Sequence, residues 1–461
     1  RLSSIVDVRT NDGDTYRYHG TLSVGTLTDK LHIEGPIRKG HTAFSISARG
    51  THTVFLKNLT VTKDDYDTDK YNYYFYDINA KINHKFNDRS RLFLGFYKGK
   101  DHFHYDYRNN NNQNGHNNQN FYRDDNHLNW GNTIAFGRWN YVFSNQLFCN
   151  TTVSYNNYRM KLNQDIEDAH KYNDRLQDRH SYSSVFKSGI RDWSARMDFD
   201  YTPLPEHHIK FGTEYIYHTF RPETTTSQVQ DIDNGTVQQD TVYQNKNNDV
   251  LHGQELSVYG EDNFNLNNHF SINAGLRLSL FHTQGKNYFS VQPRFSARYD
   301  FGQGFSTKAS YSCMAQYVHM LSSTPFSMPT DLWVPITKNI KPMYSNQYSL
   351  GGYYDGLPGW EFSIEGYYKQ MRNILEYQEG VSFFGSSTNW EEKVEVGKGR
   401  YFGLFRKHQA RQPDGWHIPY PKPTTASKTE PSAKANGFPT NTTAVIISAF
   451  ASTINSTIAL I

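Results

Sequence analysis

The residues that could do chemistry are few and scattered. His102 and His104, in "HFHYDY", stand two apart, which puts both imidazoles on one face of a strand at a spacing a metal ion can bridge. No third ligand is spaced to join them, and a loop-edge pair of this kind is more often structural. "DDYDTD" carries Asp64, Asp65, Asp67 and Asp69, oxygens that calcium would accept, but the glycine and distal glutamate of an EF-hand loop are missing. His207 and His208 fall in a turn beside Glu206 and read as solvated. "GKGR" at Gly397–Arg400 lacks the remainder of a phosphate-binding loop. The amide-rich run Asn109–Asn120 could hydrogen-bond a sugar or peptide, although its low complexity reads as a solvated loop. Cys149 and Cys313 lie far apart in strand-like patterns and read as small apolar fillers. No nucleophile stands beside a base, so no catalytic, metal-binding or cofactor-binding residue is assigned and an enzyme is not expected.

The elements that would position these residues repeat with period two. In "FSINAGLRLSLF", Ile272, Ala274, Leu276, Leu278 and Leu280 make one face, and Ser271, Asn273, Arg277 and Ser279 the other. On a helix the apolar set would scatter around the axis; on a strand it forms one stripe. The same alternation runs through Trp193–Tyr201, Ile209–Tyr217, Leu256–Leu266, Phe295–Tyr299, Phe305–Tyr311, Tyr348–Tyr354 and Trp360–Tyr368. It predicts roughly 15 or 16 strands between Tyr16 and Tyr401. Short turns ("NDRS", "SNQ", "PLPEH", "NNH", "GQG", "DGLPG") alternate with long polar connections over Asn109–Asn126, Asn163–Ser188, Thr224–Val250 and Tyr317–Ser345. Tight turns on one side and long connections on the other are the mark of an antiparallel transmembrane β-barrel. A soluble sandwich has no reason to sort its loops in this way.

Composition agrees once the faces are separated. The 461 residues include 34 Tyr and 30 Phe, too many aromatics for a disordered chain despite a mean hydropathy of −0.78. In a barrel wall only every second residue meets lipid, and the average hides that stripe. Aromatic clusters at Asn72–Asp77, His102–Tyr107 and Tyr215–Phe220 read as an interfacial girdle. A formal charge of +3, with no basic run, argues against a nucleic-acid partner. No apolar run of about 18 residues precedes residue 400, so membrane-spanning helices are not expected there.

Several stretches resemble the TonB-dependent outer-membrane receptors, of the Bacteroidota type that carries a carboxypeptidase-regulatory-like domain. "RLSSIVDVRTNDG" resembles the end of their plug domain, and "YHGTLSVGTLTDKLHIEGPIRKGHTAFSISARGTH" their first three barrel strands. "PTDLWVPITKNIKP" resembles a loop before a later strand, and "NILEYQEG" and "VGKGRYFGL" the strand pair after it. The resemblance covers Arg1 to about Leu404 and implies a 22-stranded barrel around a plug, a TonB box ahead of it, and uptake driven by the proton-motive force. By this reading residues 1–15 are the remnant of the plug, residues 16–403 a partial barrel, and the TonB box is absent.

Alternation stops near Leu404. Residues 404–461 read as an irregular tail holding Pro413, Pro419, Pro421, Pro423, Pro431 and Pro439, which a central strand would not carry. Read one base back, the codons under "RKHQARQPDGW", "WHIPYPKP" and "NGFPTNTTAVI" allow "EKTSGKTTGW", "AYTLSKT" and "WFPYKYDRRH". All three resemble what the family carries after "GKGRYFGL", in the same order. A frameshift between Gly403 and Arg406 is therefore expected, and Ala444–Ile461 is not expected to be a membrane anchor.

The resulting expectation is an outer-membrane receptor fragment. It would contact outer-membrane lipid and take up a small-molecule or oligomeric nutrient (siderophore, glycan, peptide or vitamin) through the lumen. Lumen-facing charges would include Arg196, Arg277 and Arg298, and the intact relative would be coupled to TonB. A secreted all-β carbohydrate-binding or adhesive module is the alternative, and would be soluble without detergent.

Overall fold

The computed structural model describes residues 10–51, 59–63, 67–111, 118–173, 175–244, 250–322, 330–378 and 390–410. In chain order the strands are β1 His19–Val24, β2 Thr28–Arg38, β3 Thr42–Thr51, β4 Leu59–Lys63, β5 Asp67–Asn87, β6 Ser90–Asn111 and β7 Asn118–Val142. They continue as β8 Leu147–Tyr172, β9 Arg175–Tyr201, β10 His207–Asp233, β11 Thr236–Gln244, β12 Leu251–Asn265, β13 Phe270–Thr283 and β14 Lys286–Gly302. β15 Phe305–Gln316, β16 Val318–Leu321, β17 Leu332–Pro335, β18 Met343–Tyr354, β19 Trp360–Tyr377 and β20 Val394–Ala410 complete the set, with one 3-10 turn at Trp390–Lys393.

Eighteen strands form one antiparallel sheet, and β16 and β17 form a separate hairpin. β4 pairs with β5 on the edge that β3 also uses, and β11 pairs with β10 on the edge used by β12. Each of the two therefore extends a neighbour's line, which leaves 16 wall positions of the 18 strands. Within the described residues β1 pairs only with β2 and β20 only with β19, so the wall is not closed.

The two faces separate as the alternation requires. On β13, Leu276, Leu278 and Leu280 are 44%, 37% and 39% exposed and point outward, while Ser279 and Phe281 point inward and are buried. The outward stripe crosses strands through register: Leu256 pairs with Leu280, and Leu280 with Phe289. Aromatics flank it. Near the tight turns lie the Phe199–Phe211 stack at 5.0 Å and the Phe305–Tyr354 pair at 4.3 Å; at the opposite margin Tyr155 packs on Trp193 at 4.7 Å. The aromatic clusters are split, however. Tyr74 and Tyr76 fall on the outward set, whereas Tyr73 turns inward and donates to Asp101 at 2.6 Å. Period two sends half of any contiguous aromatic run into the lumen.

The tight turns occur where the sequence places them. Most of the long polar connections do not remain loops: β6 and β7 pair as far as Asn111↔Asn120, and β8 and β9 as far as Tyr172↔Arg175. β9 has 27 residues, which at about 3.4 Å each and a tilt of about 40° rise roughly 70 Å, well beyond an apolar band of about 25 Å. Above that band both faces meet water, so the apolar signal disappears while backbone pairing continues. β20 likewise stays paired with β19 to Ala410, past the point where alternation ends. Residues 411–461, with the proline-rich segment, lie outside the described residues, as do residues 1–9.

Replacing outward Leu278 by Arg should destabilise the barrel in lipid vesicles by about 2–4 kcal/mol, while the inward change Asn273→Arg should cost less than about 1 kcal/mol. Urea titration of refolded protein reads both; equal costs would contradict the assignment of faces.

Candidate functional site

The inward face lines a cavity of about 1460 Å³ between β7–β10, β12–β15 and the β16–β17 hairpin. Its wall carries charges of both signs, fixed by neighbours on alternate positions. Arg277 on β13 meets Glu214 on β10 at 2.7 Å and Glu255 on β12 at 3.6 Å. Arg196 on β9 holds Asp198 at 2.8 Å. Between them Tyr259 on β12 offers its ring to both guanidiniums, each 5.9 Å from the centroid, and its hydroxyl donates to Asp198. His218 is buried and contacts Asp192 at 2.8 Å. Ion pairs and ring contacts of this kind hold arginines in place, so the wall presents preset donors and acceptors to a polar solute.

The cavity is roofed by chain that folds inward. Tyr317 follows β15, stacks on Phe281 at 5.0 Å and hydrogen-bonds Ser290 at 2.6 Å. The Tyr288 hydroxyl donates to the Thr337 carbonyl at 2.7 Å and fixes the other end. Between these anchors β16 and β17 pair Val318↔Pro335 through Leu321↔Leu332. One face, with Leu321, Leu332 and Val334, packs with Met160, Phe186, Leu375 and Trp390. Met320 and Trp333 line the cavity from the other face. Both faces of the hairpin are largely apolar, and burial of the Leu321–Leu332–Val334 face holds it inside the wall.

The arginines predicted to face the lumen do so. Arg196 and Arg277 join one cluster, and Arg298 lies apart in a smaller recess, 3.4 Å from Ser306. The sequence reading did not single out Tyr259, Glu214 or the hairpin residues Met320 and Trp333. Tyr259 and Glu214 were implied by alternation with the outward Val258 and Tyr215. The inward path of the hairpin has no periodic signal.

His102 and His104 gain partners that only strand pairing supplies. His127 on β7 lies opposite His104, and Asp125 takes contacts from His104 Nε2 at 2.9 Å and His127 Nε2 at 3.0 Å through one oxygen. His102 instead contacts Asn129 at 2.8 Å. His104, Asp125 and His127 are the residues of the described chain that bring three donor atoms within 4.8 Å. The two imidazoles are stacked 3.9 Å apart at 8°, so their lone pairs run parallel, and one ring would have to turn before both met one ion. As it stands the trio is a hydrogen-bonded network. Burial, with His104 alongside, holds the His127 imidazole below its usual range.

Other candidates disperse. His207 meets Asp262 at 2.7 Å and His208 meets Asp200 at 3.0 Å, so both turn histidines have carboxylate partners. Gly397–Arg400 lies in β20. Asp69 accepts from the Tyr105 hydroxyl at 3.3 Å, and Asp64 and Asp65 lie outside the described residues, as does the middle of the asparagine run. Cys149 is buried and Cys313 partly exposed.

Residues 55–404 match the family model described as TonB dependent receptor-like, beta-barrel. No curated protein matches the sequence. Among solved structures, the fold is similar to the ferric-catecholate import receptor Fiu of E. coli K12, with a TM-score of 0.53 and 12% identity over 92% of this chain and 66% of that one. It is similar to the pyoverdine outer membrane receptor FpvA of Pseudomonas aeruginosa PAO1, with a TM-score of 0.55 and 13% identity over 91% and 61%. The RagAB peptide importer gives a TM-score of 0.51 and 8% identity over 87% and 49%. At these identities the likeness is one of fold. The chain spans about half to two thirds of the length of these proteins.

His319, on the packed hairpin, is buried with no partner for Nε2 among the described residues, and burial pushes its imidazole down to about 4. An undocked hairpin would take up a proton from about pH 6.5. Docking is therefore fully favoured above that pH and should weaken below it, by at most about 1.4 kcal/mol per pH unit down to about pH 4. Amide exchange of the Val318–Leu321 strand, corrected for intrinsic rates, should rise on acidification in the native protein and not in His319→Leu. Equal pH dependence in both would contradict the assignment.

Proposed function

Since this chain belongs to the family of TonB-dependent receptor β-barrels, we propose that it forms the wall of an outer-membrane receptor that takes up a nutrient ligand through the cavity under the β16–β17 hairpin. The observation that carries this reading is the division of faces. Apolar side chains cover the outward face, while the inward one presents an Arg196–Tyr259–Arg277 ladder with acidic partners. A wall of this kind holds a polar solute by hydrogen bonds and ion pairs, and Trp333 and Met320 supply apolar surface above it. The ligand is a small molecule or oligomer of the siderophore, glycan, peptide or vitamin classes. The function is transport, with no covalent step assigned to any residue.

Coupling to TonB belongs to the whole receptor. Residues 10–14 support the reading of residues 1–15 as the end of a plug. They lie along the inner wall, where Lys81 donates to the Thr10 carbonyl at 3.2 Å and Asn83 to that of Asp12. Residues 16–403 are proposed as barrel and 404–461 as an out-of-frame tail. Sequencing the transcript across the codons for Gly403–Arg406 tests the latter; an intact frame there would remove it.

Cells lacking the gene should lose growth on one nutrient class supplied as sole source, and loss of TonB should reproduce the defect. Trp333→Ala in the restored receptor should weaken ligand binding about tenfold, the usual scale for a stacked aromatic, with the barrel still folded. Unchanged growth on every class would contradict the proposal.

A further inference from the structure

The outward face changes character abruptly above the upper aromatics. On β6 the outward series runs Leu94, Phe96, Lys98, Lys100; on β8 it runs Val153, Tyr155, Asn157, Arg159, Lys161; on β9, read upward, it runs Ala195, Trp193, Arg191, Gly189, Lys187. Val153 and Trp193 are 50% and 53% exposed, which fixes the face, and the charged positions continue it in steps of two. Register brings these series together. Lys98, Thr133, Asn157 and Arg191 form one row across four strands. Lys100, Gly131, Arg159 and Gly189 form the next, and His102, Asn129, Lys161 and Lys187 the third.

These three rows hold six cations and no carboxylate. Some cations elsewhere on the wall do have acidic partners: Arg49 pairs with Asp77, Arg179 with Glu167 and Arg277 with Glu214. None of the six forms an ion pair among the described residues; Arg159 alone has a side-chain hydrogen bond, to Asn157. Lys161 and Lys187 stand directly opposite one another on paired strands, where like charges destabilise a sheet unless an anion lies between them. The glycines of the middle row put no side chain on either flank of Arg159, and the Arg159 stem lies against Gly189, which is buried. Two rows higher the carboxylates Asp106, Asp125 and Asp165 appear, so the cationic zone is a belt bounded by aromatics below and acids above.

We propose that this belt binds the phosphorylated headgroups of outer-leaflet lipid. The charge is complementary to phosphate, and the place decides the source. A lipid whose acyl chains lie on Leu94, Phe96, Val153 and Trp193 carries its headgroup to the level of Lys98, Arg159 and Lys187. A solute in the lumen meets the other face of the wall and cannot reach it. The belt anchors the barrel at a set depth in the membrane and acts independently of the nutrient taken up.

The test uses the full chain refolded in detergent and titrated with bis-phosphorylated lipid A, with the dephosphorylated lipid, and with inorganic phosphate as competitor. Binding should require the lipid phosphates and should resist inorganic phosphate. Neutralising three charges in K161Q/K187Q/R159Q should weaken binding about a hundredfold, given the usual strength of a surface cation towards anionic lipid. R196Q, on the lumen face, should leave it unchanged. K161R/K187R should keep the affinity, which guards against a folding defect in the glutamine variant. Equal binding of the dephosphorylated lipid by the unmodified chain, full displacement by inorganic phosphate, or unchanged affinity in a folded glutamine variant would each overturn the proposal.

Discussion

The constraint on which the structure depends is that no backbone N–H or C=O can be left unpaired in lipid. A sheet meets it by passing its hydrogen bonds from strand to strand, and this wall does so without a break from β1 to β20. Period two follows from the same constraint, because a chain committed to extended pairing must send successive side chains to opposite faces. The outward set is then judged by lipid and the inward set by water and solute. The wall ends on β1 and β20, each with a single neighbour among the described residues.

Much of this was legible in the sequence, for a stated reason. The lipid-facing band is read by one solvent with one preference, so Leu276, Leu278 and Leu280 announce their face. The tight turns were equally plain, because a two-stranded connection near the membrane has few residues to spend. Where both faces meet water the signal vanishes, and the upper halves of β6 to β10 read as polar loops although their backbones pair.

The sites were less legible, since they are made by register and not by adjacency. His104 needs His127 and Asp125, Lys161 needs Lys187, and Arg277 needs Glu214, 63 residues away. Adjacent in space, such partners are separated in sequence by whole hairpins. The inward hairpin was hidden for another reason. Its order comes from Leu321, Leu332 and Val334 meeting Met160 and Phe186, a tertiary contact with no local pattern. Lumen, roof and belt are therefore three uses of one scaffold, each defined by what the paired strands place side by side.

The central claim, that the outward stripe faces lipid while the inward residues do not, is tested most directly by fluorescence. Variants keeping only Trp193 or only Trp333 of the seven tryptophans would be placed in vesicles containing lipid brominated near the headgroup. Strong quenching of Trp193 and little of Trp333 is the predicted result. Equal quenching of the two, or a chain that stays monodisperse in plain buffer with neither quenched, would contradict it.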